Sequence, residues 1–148
     1  MTTANGGPVV VVVGVDSSAA SVLALRWAAK YAADTGARLR AVMCWHYPGA
    51  FGVSPIGRAP EPVTDEVRQH LSETLDTAIA EAAPDAEVER HLEYGHPAQC
   101  LVDQSRQADL LVVGNRGHSS VSGMLAGSVS LHCVTHAACP VVVVRSGE

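Results

Sequence analysis

The stretch Val9-Val10-Val11-Val12-Val13-Gly14-Val15-Asp16-Ser17-Ser18 decides the architecture. A continuous apolar run of strand length, ended at once by side chains whose oxygens cap helices, reads as a strand buried on both faces that feeds directly into a helix. The pattern then repeats outward. From residue 19 to about 33, Ala20, Leu23, Ala24, Trp27 and Tyr31 recur at steps of three and four, with Arg26 and Lys30 on the other side and Gly36 as the closing residue. Residues 39–45 predict a second apolar strand, and residues 47–62 a long Pro/Gly loop of the kind that marks a lid or a disordered segment.

Val67, Leu71, Leu75, Ala78, Ile79 and Ala82 keep helical spacing until Pro84. Residues 87–94 alternate, so one face alone is apolar and the strand belongs at or near a sheet edge. Gly95-His96-Pro97 opens a short helix with proline in the first turn, running to about residue 107. A fourth strand at 110–113, a glycine and serine loop at 114–126, a helix at 127–138 and a fifth strand at 141–144 complete the order. Strict alternation predicts a single α/β domain over 1–148, with residues 1–7 flexible, built as a three-layer open parallel five-stranded sheet with helices on both faces. Ligands of such sheets bind beyond the carboxyl ends of the strands where the winding reverses, and Asp16 and Gly114 stand at such ends.

Composition narrows the function classes. With 47% hydrophobic and 17% charged residues in 148, there is material for one core. A net charge of −5, with Lys30 the one lysine and the arginines dispersed, supplies no basic stripe for nucleic acid. Residues 1–8 lack a basic start followed by an apolar stretch, and the longest apolar run falls far short of the roughly 20 residues that cross a bilayer, so we expect a cytoplasmic protein without a membrane partner. Cys44, Cys100, Cys133 and Cys139 show neither CxxC spacing nor the density of a stapled secreted domain and read as reduced thiols.

The segment from Gly114 to Ser128 has the spacing G-x2-G-x9-G-S through Gly114, Gly117, Gly127 and Ser128. Glycines there let backbone N–H groups approach phosphate, and the helix that follows adds unpaired donors and the positive end of its dipole. Ser128 and Ser130 can donate hydroxyl hydrogen bonds to phosphate, and Arg116 can add a fixed charge. No lysine follows any of these glycines, and Gly14-Val15-Asp16 stands where a dinucleotide fingerprint would, which disfavours both a P-loop and a dinucleotide fold of the usual kind.

Together, Val12-Val13-Gly14-Val15-Asp16-Ser17-Ser18, Leu111-Val112-Val113-Gly114-Asn115-Arg116-Gly117, Leu125-Ala126-Gly127-Ser128-Val129-Ser130 and His136-Ala137-Ala138-Cys139-Pro140-Val141-Val142-Val143-Val144-Arg145 resemble the universal stress protein family. That resemblance implies the strand order 3-2-1-4-5, a homodimer and, in the branch that keeps G-x2-G-x9-G-[ST], bound ATP. It implies Asp16 near the adenine or ribose with Gly14 and Val15 beside it, and the backbone near Cys44 at the adenine edge, with Val42 or Met43 as alternatives. It implies Val113, Gly114, Arg116 and Gly117 around ribose and phosphates, and Gly127, Ser128, Val129 and Ser130 at the phosphate tail. Ser17 departs from the family, whose members often carry Gly or Phe at that point.

Asp16 also reads simply as the N-cap of the first helix. His132 and His136, four apart on a helix with Cys133 and Cys139 nearby, have no evident third ligand, so no protein-built metal site is expected. Mg2+ or Mn2+ is expected to enter with the nucleotide, bridging its phosphates. The leading function is an ATP-dependent dimeric switch in stress response, read by an unknown protein partner, with no catalytic residue assigned and at most slow ATP hydrolysis. The alternatives are a nucleotide-transferring or hydrolysing enzyme, a cyclic AMP-binding protein, and a dimeric scaffold without nucleotide. The Val141–Val144 strand carries no edge-blocking charge and is the expected dimer contact.

Overall fold

In the computed structural model, which describes residues 6–46, 64–116 and 127–146, five parallel strands form one sheet in the order β3-β2-β1-β4-β5. The valine run is β1 (Val10–Gly14), followed by α1 (Ala19–Thr35), β2 (Arg38–Trp45), α2 (Asp65–Ala82) and β3 (Val88–Tyr94). Then come α3 (Pro97–Ser105), β4 (Leu110–Gly114), α4 (Ser128–His136) and β5 (Val141–Val144). The 47–62 loop predicted from the sequence and most of the 114–126 loop lie outside the described residues. β3 is an edge strand, as its alternation predicts, and β5 is the other.

Register follows from burial. Val11 and Val13 of β1 pair with Leu39 and Ala41 of β2 on one face, while Val12 pairs with Arg40 there and with Leu111 of β4. The face under α1 and α2 holds the larger core, including Val11, Val13, Leu25, Leu39, Leu75 and Ile79, and the face under α3 and α4 a smaller one around Val12, Val42, Leu101, Leu111, Val113 and Cys133.

The sequence reading of the apolar face of α1 holds at Ala20 and Ala24, which are buried, and at Tyr31, which packs against the larger core, but not at Trp27. Leu25 and Ala28 are buried, whereas Trp27 is 38% exposed and stacks on Tyr31 along the surface, 5.4 Å between ring centroids. Small residues at Ala20, Ala24, Ala28 and Ala32 bring the helix close to the sheet, with Tyr31 packed at the margin of the core and Trp27 outside it. Gly36 ends the helix at φ 73, as expected, with its N–H on the Ala32 carbonyl.

Candidate functional site

The strand order reverses between β1 and β4, and there, beyond the carboxyl ends of β1, β2 and β4, the structure opens a cleft of about 500 Å3. Its walls contain eleven of the twelve residues singled out from the sequence: Gly14, Val15, Asp16, Cys44, Val113, Gly114, Arg116, Gly127, Ser128, Val129 and Ser130. Gly117 lies outside the described residues. Val42 and Cys44 both line the cleft, whereas Met43, their neighbour on the opposite pleat, is buried in the larger core.

The first wall is the β1–α1 turn. Ser18 caps α1, its Oγ accepting from Ser21 N at 3.2 Å, and donates both its N–H and its hydroxyl to Asp16 Oδ1. Asp16 therefore does not cap the helix itself; it braces the residue that does, while still lining the cleft. Ser17 holds φ at 66, the left-handed region that glycine adopts more readily.

The opposite wall is the start of α4. Gly127 stands at its N-cap with φ −77 and ψ 172, a backbone any residue adopts, and among the described residues no side chain caps the helix. Gly127 N donates to Asn115 O at 2.6 Å, so the helix-terminal donors left to face the cleft are those of the next residues. The Ser130 hydroxyl is buried and donates to Gly127 O at 3.0 Å, so in this arrangement it braces the turn instead of reaching into the cleft. Asn115, which the sequence reading passed over, ties the site together: its N–H donates to Val144 O at 2.9 Å and its side-chain oxygen accepts from Ser146 N at 3.0 Å.

Gly114 has a packing reason for its missing side chain. A Cβ there would stand 2.8 Å from the backbone carbonyl carbon and oxygen of Ala20, so glycine lets the end of β4 approach α1. Its identity alone is thus no evidence for a ligand.

The third wall was not foreseen. His96 and Pro97, at the N-terminus of α3, line the cleft with His46, Ser21 and Leu101, and the two imidazoles stack with centroids 5.9 Å apart. His96 Nδ1 accepts from Ala98 N at 3.3 Å and so caps the helix. The available signal was positional, since His46 and His96 each follow a strand's carboxyl end. The cleft thus faces the N-termini of α1, α3 and α4, whose dipoles favour an anion, and among the described residues Asp16 is the one carboxylate that lines it. Burial pushes the Cys44 thiol far above its ordinary value, and nearby Cys100 and Glu93 push it further.

The model of the Universal stress protein family matches residues 10–145. The chain belongs to this family. A curated universal stress protein of Mycolicibacterium smegmatis is 38% identical over 135 residues, covering 91% of this chain and 45% of that protein, so the chain spans about half the length of the relative it matches. A universal stress protein solved in complex with cAMP is 30% identical at a TM-score of 0.63, covering 92% of this chain and 95% of the other. One from Archaeoglobus fulgidus, solved in complex with dAMP, is 25% identical at 0.65, with 93% and 97% covered. The sheet order and family expected from the sequence are therefore those observed. No helix among the described residues is long and apolar enough to cross a membrane.

Proposed function

We propose that this universal stress protein binds an adenine nucleotide in the cleft, ATP in the leading reading, and acts as a nucleotide-dependent dimeric switch in the cytoplasm. The observation that carries the reading is the convergence, around one cleft at the topological reversal, of the β1–α1 turn and the uncapped N-terminus of α4. Asp16 and Val15 are assigned to the nucleoside, the peptide near Val42 and Cys44 to the adenine edge, and Val113, Gly114 and Arg116 to the ribose and phosphates. Gly127, Ser128 and Val129 are assigned to the phosphate tail, and Ser130 to bracing it. Mg2+ or Mn2+ held through the phosphates suits a cleft in which, among the described residues, Asp16 alone offers a carboxylate. No catalytic base is assigned in this reading, which takes the protein as at most a slow ATPase.

The solved relative with cAMP favours cyclic AMP as the second reading. Chromatography of the small molecule released on denaturing the purified protein, followed by calorimetric titration with ATP and Mg2+, AMP and cyclic AMP, separates the readings. Tightest binding of ATP supports the first and of cyclic AMP the second, whereas binding of none removes both.

The dimer is assigned to β5, an uncharged edge, with Leu131 and Val134 of α4 at 51% and 57% exposure as further apolar surface. Sedimentation equilibrium at micromolar concentration tests it, and a monomer there overturns it.

A further inference from the structure

Beside the cleft, the Cys44 and Cys100 thiols and the Glu93 carboxylate bring one potential ligand atom each to within 4.8 Å of one another. The convergence is tertiary: Cys44 and Glu93 are register partners on β2 and β3, and Cys100 comes down from α3 above them. We propose that these three residues form a binding site for a soft divalent cation of the Zn2+ class, with the fourth position open to water or to an imidazole of the cleft wall.

Three features beyond proximity support a built site. Glu93 is held in place by its surroundings: Oε1 accepts from Gln104 Nε2 at 3.0 Å and meets His91 Nε2 at 3.1 Å. Gln104 is itself oriented by Arg40, whose Nη1 donates to Gln104 Oε1 at 3.1 Å. Such outer groups fix a ligating carboxylate and offset the charge that two thiolates and a carboxylate bring to one ion. The Cys100 sulfur also sits where a side chain of Gly95 would be, since a Cβ there would lie 2.6 Å from Cys100 Sγ, so the glycine leaves room for that sulfur. Finally, ligand choice matches the ion: thiolates at about 2.3 Å and a carboxylate at about 2.0–2.2 Å are ordinary Zn2+ ligands, and a tetrahedron with those bonds asks each group to shift by an ångström or less.

On binding, each thiol forms a sulfur–metal bond and gives its proton to solvent, with no change in oxidation state. A disulfide between Cys44 and Cys100 would use the same sulfurs but would leave the positioned Glu93 without a role. The site differs from the phosphate-held Mg2+ or Mn2+ of the nucleotide, being made of protein ligands and filled without nucleotide. It also revises the expectation of no protein-built metal site: the histidine pair of α4 does have rings 4.5 Å apart, but the ligand cluster lies elsewhere.

The test is titration of the full chain, freed of metal and nucleotide and kept reduced, with Zn2+ against a chromophoric chelator and with Co2+ followed by absorption. The expected result is one Zn2+ per chain and a Co2+ spectrum with thiolate charge-transfer and tetrahedral ligand-field bands. Cys44→Ser and Cys100→Ser should each abolish this, and Cys139→Ser should leave it intact. Gln104→Leu should weaken Zn2+ binding about tenfold, as loss of an outer-sphere partner does. If either cysteine variant fails to fold by circular dichroism, Glu93→Gln and the Co2+ spectrum of the parent decide. Absence of Zn2+ binding, an octahedral Co2+ spectrum without thiolate bands, full binding in folded Cys100→Ser or in Glu93→Gln, or a Cys44–Cys100 disulfide as the sole product would each overturn the proposal.

Discussion

Under α1 and α2, helices of 17 and 18 residues, the sheet meets a continuous apolar layer that runs from Val88 on the β3 side to Val142 and Val144 on β5. Under α3 and α4, each of nine residues, the buried apolar set shrinks to the strip around Val12, Leu111 and Val113, and polar groups take the remaining space. Arg40, Gln104, Glu93 and His91 form a chain of hydrogen bonds toward the β3 edge, and the Ser105 hydroxyl, buried, accepts from Ala138 N at 2.8 Å. The same sheet thus carries one face that fills space and one that places polar groups. The first supplies folding free energy in proportion to apolar area removed from water, and the second gives up some of that area to build sites.

Substitution at the centre of the first face should have the largest effect on stability. Leu25→Ala removes a side chain with 0% exposure and is expected to cost about 2–5 kcal/mol by thermal or denaturant unfolding, whereas Leu131→Ala on the exposed side of α4 should cost the monomer about 0.5 kcal/mol or less. Equal losses would mean that burial against the sheet does not set the cost. At the cleft, Gly127→Val is expected to abolish nucleotide binding with the fold intact, because φ −77 suits valine and the added side chain occupies the space above the α4 donors. A folded variant that titrates like the parent would leave the α4 turn without a binding role.

Assembly comes next. Val142→Lys with Val144→Lys should convert the dimer to monomer in sedimentation, with circular dichroism as the check on folding, since both residues also pack against the larger core. A folded double variant that stays dimeric moves the contact elsewhere. Ser128→Ala should be milder, at about 1–2 kcal/mol or roughly a tenfold rise in Kd, and Asp16→Ala should weaken adenosine as much as ATP. A loss confined to ATP in Asp16→Ala would reassign that carboxylate to the phosphate end.

The smallest effect is invisible at neutral pH. Burial pushes the Cys133 thiol up to about 11 from 9.0. The folded chain keeps a proton that the unfolded chain releases, so this stability is complete below pH 9.0 and falls as the pH rises toward 11. The slope is at most about 1.4 kcal/mol per pH unit for this thiol. Cys133→Ala should flatten its share of the alkaline decline, and an unchanged pH profile of denaturation would contradict the assignment.

What the sequence determined by itself was local and periodic. The valine runs, the break at Asp16-Ser17-Ser18, the alternation ending at Tyr94 and the proline after His96 each depend on neighbours within a few residues, and together they gave the element order. Gly114, Gly127 and Ser128 were legible as a strand end and a helix start where backbone donors are left over, whereas Val15, Cys44, Val113 and Val129 came from the family resemblance. Helix phase was legible only in part: Ala20 and Ala24 were placed on the buried face, but Leu25 and Ala28 take the centre of it where Trp27 was expected, and the closeness of the sheet makes that choice. The meeting of Cys44, Glu93 and Cys100, or of His46 with His96, was not legible, because each depends on the β2–β3 register and on where α3 comes to rest. Register is chosen by burial summed over the whole sheet, and a slip of one residue between β2 and β3 would put Cys44 and Glu93 on opposite faces. Only the packed tertiary structure makes that choice.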